Sequence, residues 1–179
     1  LFAGNPLLDP ERSGTGEAGL DWTPGARTRV GLSLFRTRVK DLIVFTGELF
    51  NAANVERADI DGAELEFETG FGALSLHGNL NWLDARNRDS GDALLRRAPR
   101  KAALSADWSF GNGAIAGIDF SAVAARPDAG NVRLGGYGLV DLRASLPLAA
   151  GWRVEARLEN LGDRDYELVS GYNTPGRSG

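Results

Sequence analysis

Polar and apolar residues alternate with a period of two along most of this chain, over stretches longer than a soluble sheet uses. From Trp152 to Asn160, Trp152, Val154, Ala156 and Leu158 fall on one parity, and Arg153, Glu155, Arg157 and Glu159 on the other. Successive side chains of a β-strand point to opposite faces, so the segment reads as a strand with one apolar and one charged face. Leu74, Leu76, Leu80 and Trp82 likewise oppose Ser75, His77, Asn79 and Asn81. Leu104, Ala106, Trp108 and Phe110 alternate with Ser105, Asp107 and Ser109, and Ala63, Leu65 and Phe67 with Glu64, Glu66 and Glu68. Weaker alternation marks residues 17–22, 28–35, 114–124 and 140–146. The chain is therefore all-β, with about eight strands, several of roughly 10 to 14 residues where about 5 to 6 is usual.

The connections alternate in length. Short, turn-rich ones fall at Thr23-Pro24-Gly25, Thr69-Gly70-Phe71-Gly72, Gly111-Asn112-Gly113 and Pro147 to Gly151. Long polar ones are expected at Lys40 to Ala58, Asp84 to Arg100, Arg126 to Gly136 and from Asp163 onward. In an up-and-down meander every second connection emerges on the same side, so one rim carries turns and the other carries loops. This is the pattern of an antiparallel up-and-down transmembrane β-barrel, with short periplasmic turns and long extracellular loops. Trp22, Trp108 and Trp152 sit near short turns and Trp82 near a long loop, all on the apolar parity, as an interfacial aromatic girdle requires. The competing reading places them as core aromatics of a soluble sandwich or propeller.

Composition narrows the function. No apolar run approaches the roughly 18 to 20 residues of a spanning helix, and mean hydropathy is −0.22. The net charge of −4 is spread as interleaved acids and bases, with no basic footprint for nucleic acid. Without cysteine there are no disulfides, thiolate nucleophiles or zinc fingers. His77, the one histidine, lies between Ser75 and Asn79. These share one strand face with diverging side chains, so they do not form the hydroxyl–imidazole contact that a lipase needs. The Glu64, Glu66, Glu68 row reads as a hydrated wall rather than a cation site. The expectation is no enzyme and no cofactor. Leu1 opens on what reads as mid-domain sequence, and no signal peptide is seen, so an internal fragment is expected.

Several motifs then carry a resemblance. Asn5-Pro6-Leu7-Leu8-Asp9-Pro10-Glu11-Arg12-Ser13 followed by Glu17 resembles the lead-in to a late barrel strand of TonB-dependent receptors. Lys40-Asp41-Leu42-Ile43, Asn54 and Gly62-Ala63-Glu64-Leu65-Glu66 look like that family's next hairpin, and Asn160-Leu161-Gly162-Asp163-Arg164-Asp165-Tyr166 is similar to its penultimate-strand signature, with Gly162 replacing the common Phe. Leu94-Leu95-Arg96-Arg97-Ala98-Pro99 and Gly171-Tyr172-Asn173-Thr174-Pro175-Gly176-Arg177 look most like the vitamin B12 (cobalamin) branch. The resemblance implies a 22-stranded barrel in the Gram-negative outer membrane, surrounded by lipid and plugged by an N-terminal domain that meets the inner-membrane TonB complex. This chain is then the C-terminal part of the barrel, without the plug and the final strand. Arg96, with Arg97 beside it, implies a substrate-binding position, because Arg96 matches a loop arginine that contacts cobalamin. The alternative is a loop arginine paired with carboxylates. The family's following loop tyrosine has no counterpart before Tyr137, and its calcium sites lie earlier in the barrel. Siderophore or haem receptors are the alternative branch.

Overall fold

A computed structural model describes residues 5–46 and 51–179. Eight strands form one antiparallel sheet in the order β1 (Arg12–Gly25), β2 (Thr28–Thr46), β3 (Asn51–Phe71), β4 (Leu74–Asn87), β5 (Arg100–Ser109), β6 (Ile115–Val123), β9 (Tyr137–Pro147) and β10 (Arg153–Leu158). Each strand pairs with its sequence neighbour in the sheet, and β7 (Arg126–Pro127) and β8 (Arg133–Leu134) form a small hairpin within the β6–β9 connection.

The register turns the sequence parity into two faces. Val30, Phe67, Gly78, Leu104, Phe120 and Val140 stand in one cross-strand row, and Thr69, Leu76, Ala106, Ile118, Leu142 and Leu158 in a row nearer the short turns. The alternate rows are polar: Arg29, Glu68, His77, Ser105, Asp119 and Asp141 face the other way. On β3 the apolar band runs from Phe71 to Ala63, which at the usual rise and tilt spans about 20 Å of height, close to a hydrocarbon core's requirement.

No second layer covers that band among the described residues. Among the described residues only Ala58, Ala85, Ala98 and Leu134 are buried apolar side chains, and all lie toward the long connections. Trp22, Trp82, Trp108 and Trp152 are 60%, 44%, 49% and 73% exposed, which removes the core-aromatic reading. A soluble sheet would leave this apolar surface in water; a barrel wall sets it against acyl chains.

One expected connection is corrected. Lys40 to Ala58 is not a polar loop: β2 continues to Thr46 and β3 begins at Asn51, so this hairpin outreaches its neighbours. Above a membrane, strands meet water on both faces and lose their alternation, so polarity there does not signal a loop. Asn54 pins the hairpin, accepting from the Asp9 N–H at 2.9 Å and donating to the Asp9 and Asp41 carbonyls at 3.0 and 2.6 Å. The lead-in segment thus lies along the hairpin, where Glu11 also accepts from the Ile43 N–H at 2.6 Å. Trp152 precedes β10 rather than opening it.

Two glycines face aromatic rings across the sheet, Gly62 opposite Phe35 and Gly78 opposite Phe67. A Cβ at Gly78 would come 2.7 Å from the Phe67 ring and 2.8 Å from the Ala103 carbonyl oxygen. The ring can turn aside, but the paired carbonyl cannot. Gly78→Ala is expected to cost about 1–3 kcal/mol through overpacking. Gly70→Ala meets nothing nearer than 3.5 Å and is expected to cost little. Thermal unfolding of the detergent-solubilised barrel compares the two.

Candidate functional site

Three segments meet at the long-loop rim: residues 88–99 after β4, residues 124–136 around the β7–β8 hairpin, and residues 159–179 after β10. Asp128 is their hub and is 1% exposed. Its Oδ1 accepts from Arg96 Nε at 2.6 Å and from the Ala129 N–H at 2.8 Å, and its Oδ2 accepts from the Ser170 N–H at 2.7 Å. Burial alone would raise the carboxyl pKa. The Ser170 N–H, the Arg96 guanidinium and the Ala129 N–H outweigh burial and hold Asp128 below its ordinary value.

Arg96 reaches Asp128 from a left-handed backbone, φ +60°, and its own N–H donates to the Pro127 carbonyl at 2.8 Å. The turn therefore fixes where the guanidinium points. Arg126, also buried, ties the same hairpin to the last segment, donating through Nη2 to the Glu167 and Leu168 carbonyls at 3.0 and 2.9 Å. Its guanidinium lies 6.0 Å from the Tyr137 ring centre, and Tyr137 packs on Tyr166 with centroids 4.4 Å apart.

The Asn160–Tyr166 motif explains how the last segment turns back. Asn160 is buried at φ +49°, takes the Arg164 N–H on Oδ1 at 2.8 Å, and returns Nδ2 to the Arg164 carbonyl at 3.0 Å. Asp163 accepts from the Arg177 N–H at 2.8 Å, and Glu159 and Ser178 exchange backbone hydrogen bonds. A hollow of about 560 Å³ opens beside this turn, lined by Gly135, Gly136, Arg164, Tyr166, Asn173 and Thr174 among others.

Of the two sequence-predicted binding residues, Arg96 sits in the hub with its side chain 44% exposed, and its Nη groups have no hydrogen-bond partner among the described residues. Arg97 is exposed and makes no ion pair among the described residues. Neither lines the hollow. Sequence reasoning missed Asp128, Ser170 and Arg126. The one available signal, a carboxylate within the Arg126–Gly136 connection to match Arg96, has no spacing rule, since 32 residues separate the two.

Below the rim the polar face is a wall of cross-strand charge. Arg143 bridges Asp107 at 2.9 Å and Asp119 at 3.0 Å, crossing Gly117, where a Cβ would collide with its Nε. Asp119 also takes a hydrogen bond from Ser105. Glu64, Glu66 and Glu68 are exposed on this face, and no group of His, Asp and Glu among the described residues is arranged to hold a metal. His77 faces Glu68 and Ser105 across the sheet. These arrangements can bind and guide a polar solute.

Residues 1–161 match the family described as TonB dependent receptor-like, beta-barrel. The chain belongs to the TonB-dependent receptor family. Its sheet is part of a Gram-negative outer-membrane barrel, and the family is one of receptors, not enzymes. Solved structures with the same fold include the copper transporter OprC, at TM-score 0.83 and 23% identity over 96% of this chain and 30% of that one. The ferric yersiniabactin uptake receptor FyuA from Yersinia pestis aligns at TM-score 0.78 and 21% identity, over 93% of this chain and 27% of its own. The ferric-catecholate import receptor Fiu from E. coli K12 aligns at 0.77 and 17%, over 95% and 27%. The chain thus spans under a third of the length of each of these three proteins. Their likeness gives the fold, and the three are named for copper and ferric chelates. The family expected from the sequence stands; its cobalamin branch does not follow from these likenesses.

Proposed function

We propose that these strands form late wall segments of an uptake receptor that captures a metal chelate at the long-loop rim and passes it through the barrel. On this reading a plug domain fills the lumen and is displaced by the inner-membrane TonB complex. The rim platform carries the proposal: Arg96, Asp128 and Ser170, with 32 and 42 residues between successive members, are locked together, and an open polar hollow lies between the segments of Asp128 and Ser170, lined by residues 135–136, 164–167 and 173–174. A surface already ordered loses less freedom when it binds. The likeness to copper and ferric-chelate receptors supports a chelate of iron or copper. Cobalamin is the second reading, and it rests on residues 94–99 and 171–177, both of which belong to the platform.

Titration of the intact receptor with a ferric catecholate, ferric yersiniabactin, a copper chelate and cyanocobalamin separates the readings. One of the metal chelates is expected to bind. Saturable binding of cyanocobalamin alone would transfer the assignment to the second reading, and binding of none would remove the uptake proposal. Arg97→Ala is expected to raise the Kd about tenfold, since one charge-assisted contact contributes about 1.5–3 kcal/mol before solvent screening. Unchanged thermal stability in that variant is the companion result, because Arg97 anchors nothing among the described residues.

A further inference from the structure

The apolar outward rows end at Leu34, Ala63 and Trp82, and what stands above them on the same face is charged. The next row outward holds Arg36, Asp61 and Asp84; the one above it Arg38, Asp59 and Arg86; the third Arg12, Lys40 and Arg57, with Arg88 donating its backbone N–H to the Arg57 carbonyl. Each row adds about 5 Å of height for strands rising ~3.4 Å per residue at the usual tilt. These side chains therefore stand at and just above the headgroups of the outer leaflet, and long cationic side chains reach back toward that level.

The carboxylates on this face are already taken. Asp61 meets Arg36 at 3.0 Å, Asp84 meets Arg86 at 2.7 Å, Asp89 meets Arg57 at 2.6 Å, and Asp59 meets Arg88 at 3.9 Å. Arg12, Arg38 and Lys40 remain exposed, without an anionic partner among the described residues. Arg12 and Lys40 are directly opposite across β1–β2, and Arg38 is the next outward residue along β2. Like charges placed opposite in a sheet repel and destabilise the pair unless an anion lies between them. The chain as a whole carries −4, so this corner has the opposite sign to its protein.

We infer that Arg12, Arg38 and Lys40 form an outward-facing binding surface for the phosphate groups of an anionic lipid in the outer leaflet. The lipid's acyl chains would lie along the adjoining Ala18, Leu20, Leu32 and Leu34 surface, which continues down the same two strands. That continuity, charge at headgroup height above an acyl-facing strip, distinguishes a lipid phosphate from a free one. The inference rests on the barrel's orientation in the outer membrane and is independent of which chelate the receptor takes up.

The test uses the intact receptor in dodecyl maltoside, titrated with diphosphoryl lipid A and read by native mass spectrometry. Each membrane-facing cation contributes about fivefold to anionic-lipid affinity, so Arg12→Gln, Arg38→Gln and Lys40→Gln combined should weaken binding by more than tenfold. Arg38→Lys should stay within about twofold of the parent, as should Arg27→Gln, which removes a charge at the short-turn rim. Equal affinity in the triple variant would overturn the inference, as would an equal loss in Arg27→Gln. Displacement of lipid A by inorganic phosphate at matching concentration would also overturn it, by making the surface a site for the free ion.

Discussion

Asp128→Ala is expected to release the rim platform as a unit. The substitution strips a buried acceptor from the Ser170 and Ala129 N–H groups and from the Arg96 guanidinium. Hydrogen bonds to a charged group contribute about 1.5–3 kcal/mol each, less for the partly exposed arginine, so a local loss of about 3–5 kcal/mol follows. The sheet itself makes no use of Asp128, so the loss should appear as faster amide exchange and proteolysis in residues 124–136 and 159–179. The barrel's unfolding should be little changed. On the proposed uptake function, chelate binding should fall with the platform.

The same carboxylate sets a pH response. Its folded-state pKa lies below its ordinary value, 3.8, so its stabilisation is fully present above that value. It is lost as pH falls through the lowered folded pKa, when the carboxyl takes a proton and the acceptor weakens. Platform protection measured by exchange should therefore be constant from neutrality down to about pH 4 and decline below it. In Asp128→Asn this acid-dependent step should vanish.

The second large effect concerns the belt. Leu104→Arg places a guanidinium in the middle apolar row, between Gly78 and Phe120. A cation at that depth on the lipid face costs about 2–4 kcal/mol, and outer-membrane barrels fold with margins that such a loss erodes. Ser105→Arg, one residue along and facing the polar wall, puts the same charge beside Asp119 and Glu68-facing His77, where water and carboxylates receive it. Folding of the two intact variants into lipid vesicles, followed by the heat-dependent gel shift of a closed barrel, should show a large loss for Leu104→Arg and a small one for Ser105→Arg. Equal losses would mean that the two faces do not differ in environment.

The wall was legible in the sequence because lipid and water impose opposite demands on neighbouring residues. Leu74 to Trp82 and Trp152 to Leu158 record those demands residue by residue, and the observed pairing preserves the parity on every spanning strand. The β2–β3 tip was not legible, because residues 40–46 and 51–58 hydrogen-bond in a ladder whose two faces are not forced to differ. The platform was harder still. Arg96 was marked by its motif, but its partnership with Asp128 and Ser170 depends on a left-handed turn at Arg96 and on a hairpin that returns a distant loop. Neither leaves a periodic trace. Asn160 was marked for its motif alone, and its role as the staple of the final turn emerged only from its paired contacts with Arg164.

A spin-label scan of β4 in the intact receptor, reconstituted in lipid, examines the two faces directly. These 179 residues hold no cysteine, and with any cysteine elsewhere in the receptor replaced by serine, single cysteines at residues 74–82 can be labelled without background. Positions 74, 76, 80 and 82 should be accessible to oxygen and shielded from a water-soluble nickel complex; positions 75, 77, 79 and 81 should show the reverse. A scan in which the leucine positions exclude both reagents would place them against protein, and the membrane wall described above would be wrong.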